Sequence, residues 1–331
     1  MSDVAPPSFR WGVALALASS AAFGTAGPFA KSLLVAGWSP FAVVTLRVAG
    51  AALLLSPVVL RMMSRRWAML RHEWPLVAAY GLIAVALAQL SYFHAVQTLS
   101  VGMALLLEYS GILLVVLYLW VFRGVVPSRV TGFGVVVSVA GLMLVLDVFT
   151  GLTVDRTGMA WGLLAGVGLA AYYLISAQQH EEALPPIALA GLGLSVGAAG
   201  LILAGVLRLA SFTVASRDTV IAGAALPWWV AVAELAVVAA ALAYVTGIAA
   251  VRIIGATVAS FVGLAEVLFA VLFAWLLLGE VPTVVQAVGG LLVIGGVVAV
   301  RLGERQLPVV AGDPDPLPVL EAEAPSKREP A

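Results

Sequence analysis

The chain has 331 residues, of which 63% are hydrophobic and 10% charged, and its 17 basic and 17 acidic side chains cancel. Soluble domains average roughly 45–50% apolar and about 25% charged residues, so this chain has too little polar surface to cover a water-soluble globule. No basic excess exists for a nucleic-acid partner, and the absence of cysteine excludes disulfides, thiolate metal sites and cysteine nucleophiles.

What remains is an all-α polytopic membrane protein. A bilayer core about 30 Å thick needs about 20 apolar residues of helix per crossing. Ten such stretches are predicted, near 11–34, 40–62, 75–97, 100–121, 128–147, 158–179, 185–208, 226–250, 254–278 and 281–301. The first is too long for the apolar core of a cleaved leader and is expected to stay as a helix. The breaks are marked by Gly37 with Pro40, Arg65-Arg66, Pro127, Asp155-Arg156, Pro185-Pro186, Pro227, and Gly279-Glu280 with Pro282. With the N-terminus in the cytoplasm, twelve Lys and Arg residues fall on the cytoplasmic side; Lys31, Arg156, Arg208 and Arg217 fall on the other. That asymmetry places both termini in the cytoplasm, for a multi-pass protein of the inner membrane. The segment 303–331, rich in proline and charge, is expected to be a disordered cytoplasmic tail.

Residues 100–146 align with 255–301 without gaps at an offset of 155, pairing Trp120 with Trp275, Gly124 with Gly279, Pro127 with Pro282 and Gly141 with Gly296. Helix three meets helix eight at the same offset, and helix one meets helix six at 150, through Trp11-Gly12 and Trp161-Gly162. The expected units are therefore 1–150 and 151–302, each of five helices. Five is odd, so the second half enters the membrane inverted, as in alternating-access transporters. Gly162 with Gly166, Gly193 with Gly197, and Gly289-Gly290 with Gly295-Gly296 are expected to pack helices within the chain.

Ionisable residues inside spans are costly and are therefore candidates for function. Arg47, Glu108 and Glu234 lie at similar depth in helices two, four and eight, and Glu266 lies near the middle of helix nine. Equal depth makes Arg47 a possible partner of Glu108 or Glu234. Glu266, with no cation at its depth, suits proton coupling, as does Glu108. On helix three, Gln89, Phe93 and Gln97 follow at i, i+4 and i+8 with His94 beside them, a polar arc expected to face a wet cavity. Tyr109, Tyr172, Tyr173 and Tyr244 can line such a cavity with a polar tip on an apolar body. Gly24-Thr25-Ala26-Gly27-Pro28 is expected to break or kink helix one, because Pro28 cannot donate to the helix ladder. Lys31 stands near the outer mouth, where it can attract a carboxylate or snorkel.

The run IGATVASFVGLAEVLFAVLFAWLLLGEVPTVVQAVGGLLVIGGVVAV resembles the last two helices of the EamA-type branch of the drug/metabolite transporter superfamily. AKSLLVAGWSPFAVVTLR (30–47), YFHAVQTLSVGMALLLEYSG (92–111) and AYYLISAQQ (171–179) are similar to the bacterial threonine/homoserine exporter group. The resemblance implies a ten-helix inner-membrane exporter of amino acids or related metabolites. It also implies a central cavity lined by helices one, three, four, six, eight and nine, with Glu108 a contact for a substrate amine.

The expected function is secondary active transport by alternating access; no cofactor is expected, and no nucleotide-binding GxxxxGK run occurs, which leaves proton exchange as the expected drive. The expected partners are a small-molecule substrate, membrane lipids and protons as coupling ion, without nucleic acid or an obligate protein. A drug or nucleotide-sugar permease of the same fold is the alternative, though phosphate-bearing cargo calls for more deep cations than Arg47 alone. An intramembrane enzyme is disfavoured, because Asp147, Asp155 and Asp218 fall at helix ends and loops. A metal site is disfavoured because His72 and His180 fall in predicted loops, away from His94.

Overall fold

The structure is a computed structural model that describes residues 9–64, 67–124, 126–145, 155–177, 184–263, 265–281 and 283–304. The expected Arg65-Arg66 break, Pro282, Asp147, His180 and the tail from residue 305 onward lie outside the described residues. In chain order the helices are α1 (Phe9–Gly24), α2 (Ala26–Val35), α3 (Pro40–Met63), α4 (Trp67–Ala79), α5 (Ala88–Thr98), α6 (Val101–Tyr109) and α7 (Gly111–Arg123). They continue as α8 (Arg129–Val145), α9 (Arg156–Ser176), α10 (Pro186–Val206), α11 (Trp228–Ala236), α12 (Ala243–Gly263), α13 (Ala265–Leu278) and α14 (Val284–Glu304). Two π-helical stretches, Tyr80–Leu87 and Val237–Leu242, join α4 to α5 and α11 to α12.

Eight helical segments among the described residues are long and apolar enough to cross a membrane: Phe9–Val35, Pro40–Met63, Glu73–Thr98, Val101–Phe122, Arg156–Ser176, Pro186–Val206, Trp228–Ala256 and Val258–Leu278. Arg129–Gly141 and Ala287–Gly296 are shorter apolar stretches, within α8 and α14. The chain is thus a helical, multi-pass membrane protein. Two local expectations are corrected. His72 lies within α4 rather than in a loop, and α14 runs through Glu304 into the segment expected to be tail.

Local sequence explains where the helices start and bend. Ser39 caps α3 by accepting from the Ala42 amide at 3.2 Å, with Pro40 in the first turn, where its missing donor costs nothing. Ser100 caps α6 through the Met103 amide at 3.3 Å. Asp155 caps α9 through the amides of Thr157 and Gly158 at 3.1 and 3.0 Å. The Thr98 hydroxyl, first, and these amides hold the Asp155 carboxyl below its usual range. The first span breaks at Thr25, within the predicted Gly–Thr–Ala–Gly–Pro run. One interruption was not legible, α6 giving way to α7 at Ser110; α12 turns at Gly255, whose φ of 78° favours glycine, close to the expected break between the stretches 226–250 and 254–278.

The all-helical expectation needs one amendment. Strands β1 (Thr219–Ile221) and β2 (Ala224–Leu226) pair antiparallel in the connection before α11. Ala222 and Gly223 both have positive φ, 53° and 77°, as a two-residue hairpin turn of matching twist requires. The Ala222 amide donates to the Leu277 carbonyl at the end of α13, 2.7 Å away.

Packing relies on small residues. α1 lies against α12 and α13, α9 against α5, α6 and α7, α3 against α10, and α8 against α14. A β-carbon at Gly141 on α8 would stand 2.6 Å from the Gly289 carbonyl oxygen on α14, and one at Gly296 would stand 2.5 Å from the Gly134 carbonyl oxygen. Gly162 meets Leu107, Gly166 meets Gly111, and Gly193 and Gly197 meet Tyr80 and Gly81. These glycines serve contacts inside the chain, as expected, whereas Gly290 and Gly295 face open space.

One end of the bundle is closed by its connections. Lys31 pairs with Glu280 and also reaches the Leu99 carbonyl at 3.4 Å, while Glu280 accepts from the Val101 amide at 3.4 Å. Ser39 donates from its amide to the Thr213 carbonyl at 3.0 Å, and the Trp38 indole donates to the Ala215 carbonyl at 2.8 Å. Every connection that the charge asymmetry assigns to the outer face among these residues gathers at this end.

Candidate functional site

A cavity of about 50 Å³ lies among α1, α5, α6, α9, α12, α13 and the first π-helical stretch. Gln89, Glu108, Tyr172, Tyr173, Tyr244 and Glu266 line it. It is smaller than the roughly 300–1,000 Å³ of a site that encloses a drug-sized ligand, with room for a few waters.

The acidic side is built on interrupted helices. Glu108 and Tyr109 are the last residues of α6, and Glu266 is in the first turn of α13, where a carboxylate faces the positive helix end. The Tyr109 hydroxyl lies 2.6 Å from the Gly263 carbonyl, freed at the end of α12, and 2.8 Å from Glu266 Oε2. Glu108 is 7% exposed, and among the described residues its carboxylate has no hydrogen-bond partner. It faces the cavity.

Behind the cavity-lining Gln89 stands Arg47, which is 1% exposed. Its guanidinium donates to Gln89 Oε1 and to the Ala239 carbonyl in the second π-helical stretch, and it lies 5.4 Å from the centre of the Phe93 ring. The expected partnership with Glu108 or Glu234 is not formed: among the described residues no carboxylate reaches Arg47 within ion-pairing distance. Glu234 instead accepts from the Thr25 hydroxyl at the break in the first span. The Gln89 amide donates to the Tyr244 hydroxyl at 3.2 Å, which lies 3.5 Å from the Ala84 carbonyl in the first π-helical stretch. Both π-helical stretches thus offer carbonyls to side chains from other helices, a use to which such bulges lend themselves.

Tyrosines form the walls. Phe23 meets Tyr244 edge-on at 5.0 Å and Tyr172 at 6.4 Å, and Tyr172 meets Tyr173 at 5.0 Å. Ser19, Ser20 and Phe23 line the cavity and were not singled out from the sequence. Hydroxyls embedded in an apolar span were the available signal. Ser19 donates to the Ala243 carbonyl and Ser20 to the Ala16 carbonyl, both at 2.8 Å.

The polar arc of helix three divides. Gln89 lines the cavity. Phe93 is fully buried beneath Arg47, and Gln97 is exposed. His94 stacks on Trp161 at 4.6 Å with Nδ1 2.8 Å from the Leu90 carbonyl.

The sequence matches the EamA-like transporter family over residues 10–147 and again over 156–302. The chain belongs to the EamA-like transporter family. It is accordingly a membrane protein of a transporter family. A solved structure titled "Crystal structure of protein" superposes with a TM-score of 0.63 at 19% identity, covering 89% of this chain and 97% of that one. That likeness concerns the fold. No curated protein matches the chain.

Proposed function

We propose that this EamA-like transporter is a secondary active exporter of amino acids or related small metabolites in the inner membrane, working by alternating access. In this reading ten helices form two inverted five-helix repeats, 1–150 and 151–302, with both termini in the cytoplasm. The observation that carries it is one cavity lined by Glu108 and Glu266, by the Gln89 amide, by serine hydroxyls and by three tyrosines. An amphipathic metabolite with an ammonium group matches that chemistry.

Three facts support the two-repeat arrangement. Gln89 and Tyr244 are 155 positions apart and hydrogen-bond to each other; Ser138 and Val293, also 155 apart, meet through the Ser138 hydroxyl at 3.4 Å. The contacts Gly141–Gly289 and Gly296–Gly134 are reciprocal at that offset, as a two-fold axis requires. The π-helical residues 82–87 and 237–242 correspond at the same offset.

Proton coupling is supported by the Tyr109 hydroxyl, which has one hydrogen and two facing acceptors. A proton on Glu266 lets Tyr109 donate to the Gly263 carbonyl while Glu266 donates to Tyr109. Loss of that proton makes Glu266 compete for the same hydrogen, leaving the carbonyl at the helix break unpaired. Protonation is thereby tied to the α12–α13 junction.

Proteoliposome counterflow with radiolabelled amino acids, with and without an imposed pH gradient, tests the reading. Exchange of at least one amino acid, accelerated by the gradient, is expected. Exchange of lipophilic cations alone would replace the amino-acid reading with a drug permease of the same fold.

A further inference from the structure

We infer that the cavity is lined for both charges of one substrate, with Arg47 acting through Gln89 to receive its carboxylate while Glu108 and Glu266 receive its ammonium. The inference rests on the amino-acid reading above and adds to it a requirement for both charges on one substrate.

Arg47 carries a permanent charge and is essentially inaccessible. Its two printed hydrogen bonds go to neutral acceptors, Gln89 Oε1 and the Ala239 carbonyl, and its Nε has no partner among the described residues. The Glu234 and Glu266 carboxylates are within reach of its field but not of an ion pair. The guanidinium is thus contacted directly only by dipoles and the Phe93 ring, with carboxylates at longer range, and a carboxylate brought closer would be its first direct countercharge.

Arg47 also fixes how Gln89 is turned. A guanidinium only donates, so the Gln89 carbonyl oxygen faces it and the amide NH₂ faces away. One of the two N–H groups serves Tyr244; the other has no partner among the described residues, and Gln89 lines the cavity. The Gln89 lining of the cavity therefore presents a donor backed by a positive charge. A carboxylate there would take the free N–H and supply a closer countercharge.

The acidic lining has the complementary deficit. Glu108 is nine-tenths buried, faces the cavity, and bonds to no described residue. Glu266 shares its one hydrogen-bond contact with Tyr109. An ammonium group answers that deficit. A simple amine answers one deficit only, and a simple carboxylate the other only. A zwitterion answers both.

The test compares each amino acid with its decarboxylated amine in counterflow by the full-length protein: leucine with isoamylamine, threonine with 1-aminopropan-2-ol, phenylalanine with phenethylamine. The wild type is expected to favour the amino acid by at least about tenfold, the discrimination available when a built hydrogen-bond site loses its partner group. Gln89→Glu puts a carboxylate beside Arg47, spending its charge and repelling the substrate's. It should bring the ratio of amino-acid to amine exchange to one or below. Gln89→Leu, which keeps Arg47 and adds no charge, should lower the same ratio by at least about threefold. Unchanged ratios in either folded variant would overturn the inference while leaving the amino-acid reading intact. Equal wild-type rates for acid and amine would overturn it without any variant. Exchange of amines alone by the wild type would overturn both.

Discussion

Breaking the Lys31–Glu280 ion pair should open the cavity toward the end of the molecule that the pair seals. The two side chains are 24% and 27% exposed, so the pair is partly screened by water. Exposed pairs contribute about 0.2–1 kcal/mol. Here each partner also holds a backbone group, the Leu99 carbonyl or the Val101 amide, both at a long 3.4 Å. Together these interactions stabilise the closed end by about 1–2 kcal/mol, which is a factor of roughly 5–30 in a two-state equilibrium. The chain has no cysteine, so a single Ser20→Cys substitution gives a clean reporter inside the cavity. A membrane-impermeant thiol reagent applied from the Lys31 side should label it about 5–30 times faster when Lys31→Gln or Glu280→Gln is added. The charge-reversed double variant, Lys31→Glu with Glu280→Lys, should return the rate to within about threefold of the parent. About 1 M salt, whose screening length is about 3 Å, should move the parent toward the single variants. Unchanged labelling in both single variants, or a double variant that merely sums them, would refute the closure role.

Glu108→Gln should abolish exchange in counterflow, yet leave the melting temperature in detergent unchanged or slightly raised, because the Glu108 carboxylate bonds to no described residue. Gly141→Leu should lower that melting temperature strongly: its β-carbon would stand 2.6 Å from the Gly289 carbonyl, an obstacle of backbone rather than of a movable side chain, and overpacking costs about 1–3 kcal/mol even in better cases. Asp155→Asn should reduce stability at neutral pH without changing transport. The folded-state carboxyl titrates below its unfolded value, so its contribution is present above about pH 4 and fades as pH falls through the folded value. Thermal melts of wild type and variant should therefore converge in acid.

Hydropathy made the spans legible because a lipid-embedded helix must be apolar over its full length, whatever its neighbours. The helix break at Thr25 was legible because Pro28 cannot donate. Glu108, Glu266, Gln89 and the three cavity tyrosines could be named because polar groups at depth are costly unless a site uses them. Depth along a span, however, is one coordinate, and angle around the bundle is another. Arg47 and Glu108 share a depth, but Gln89 and the Ala239 carbonyl intercept the guanidinium. Gln97 shares the helical phase of Gln89 yet lies two turns away, about 12 Å along the axis, beyond a cavity this small. His94 is taken by the Trp161 ring, a contact between helices that no local pattern encodes. The hairpin escaped notice because three-residue strands are too short to display a period.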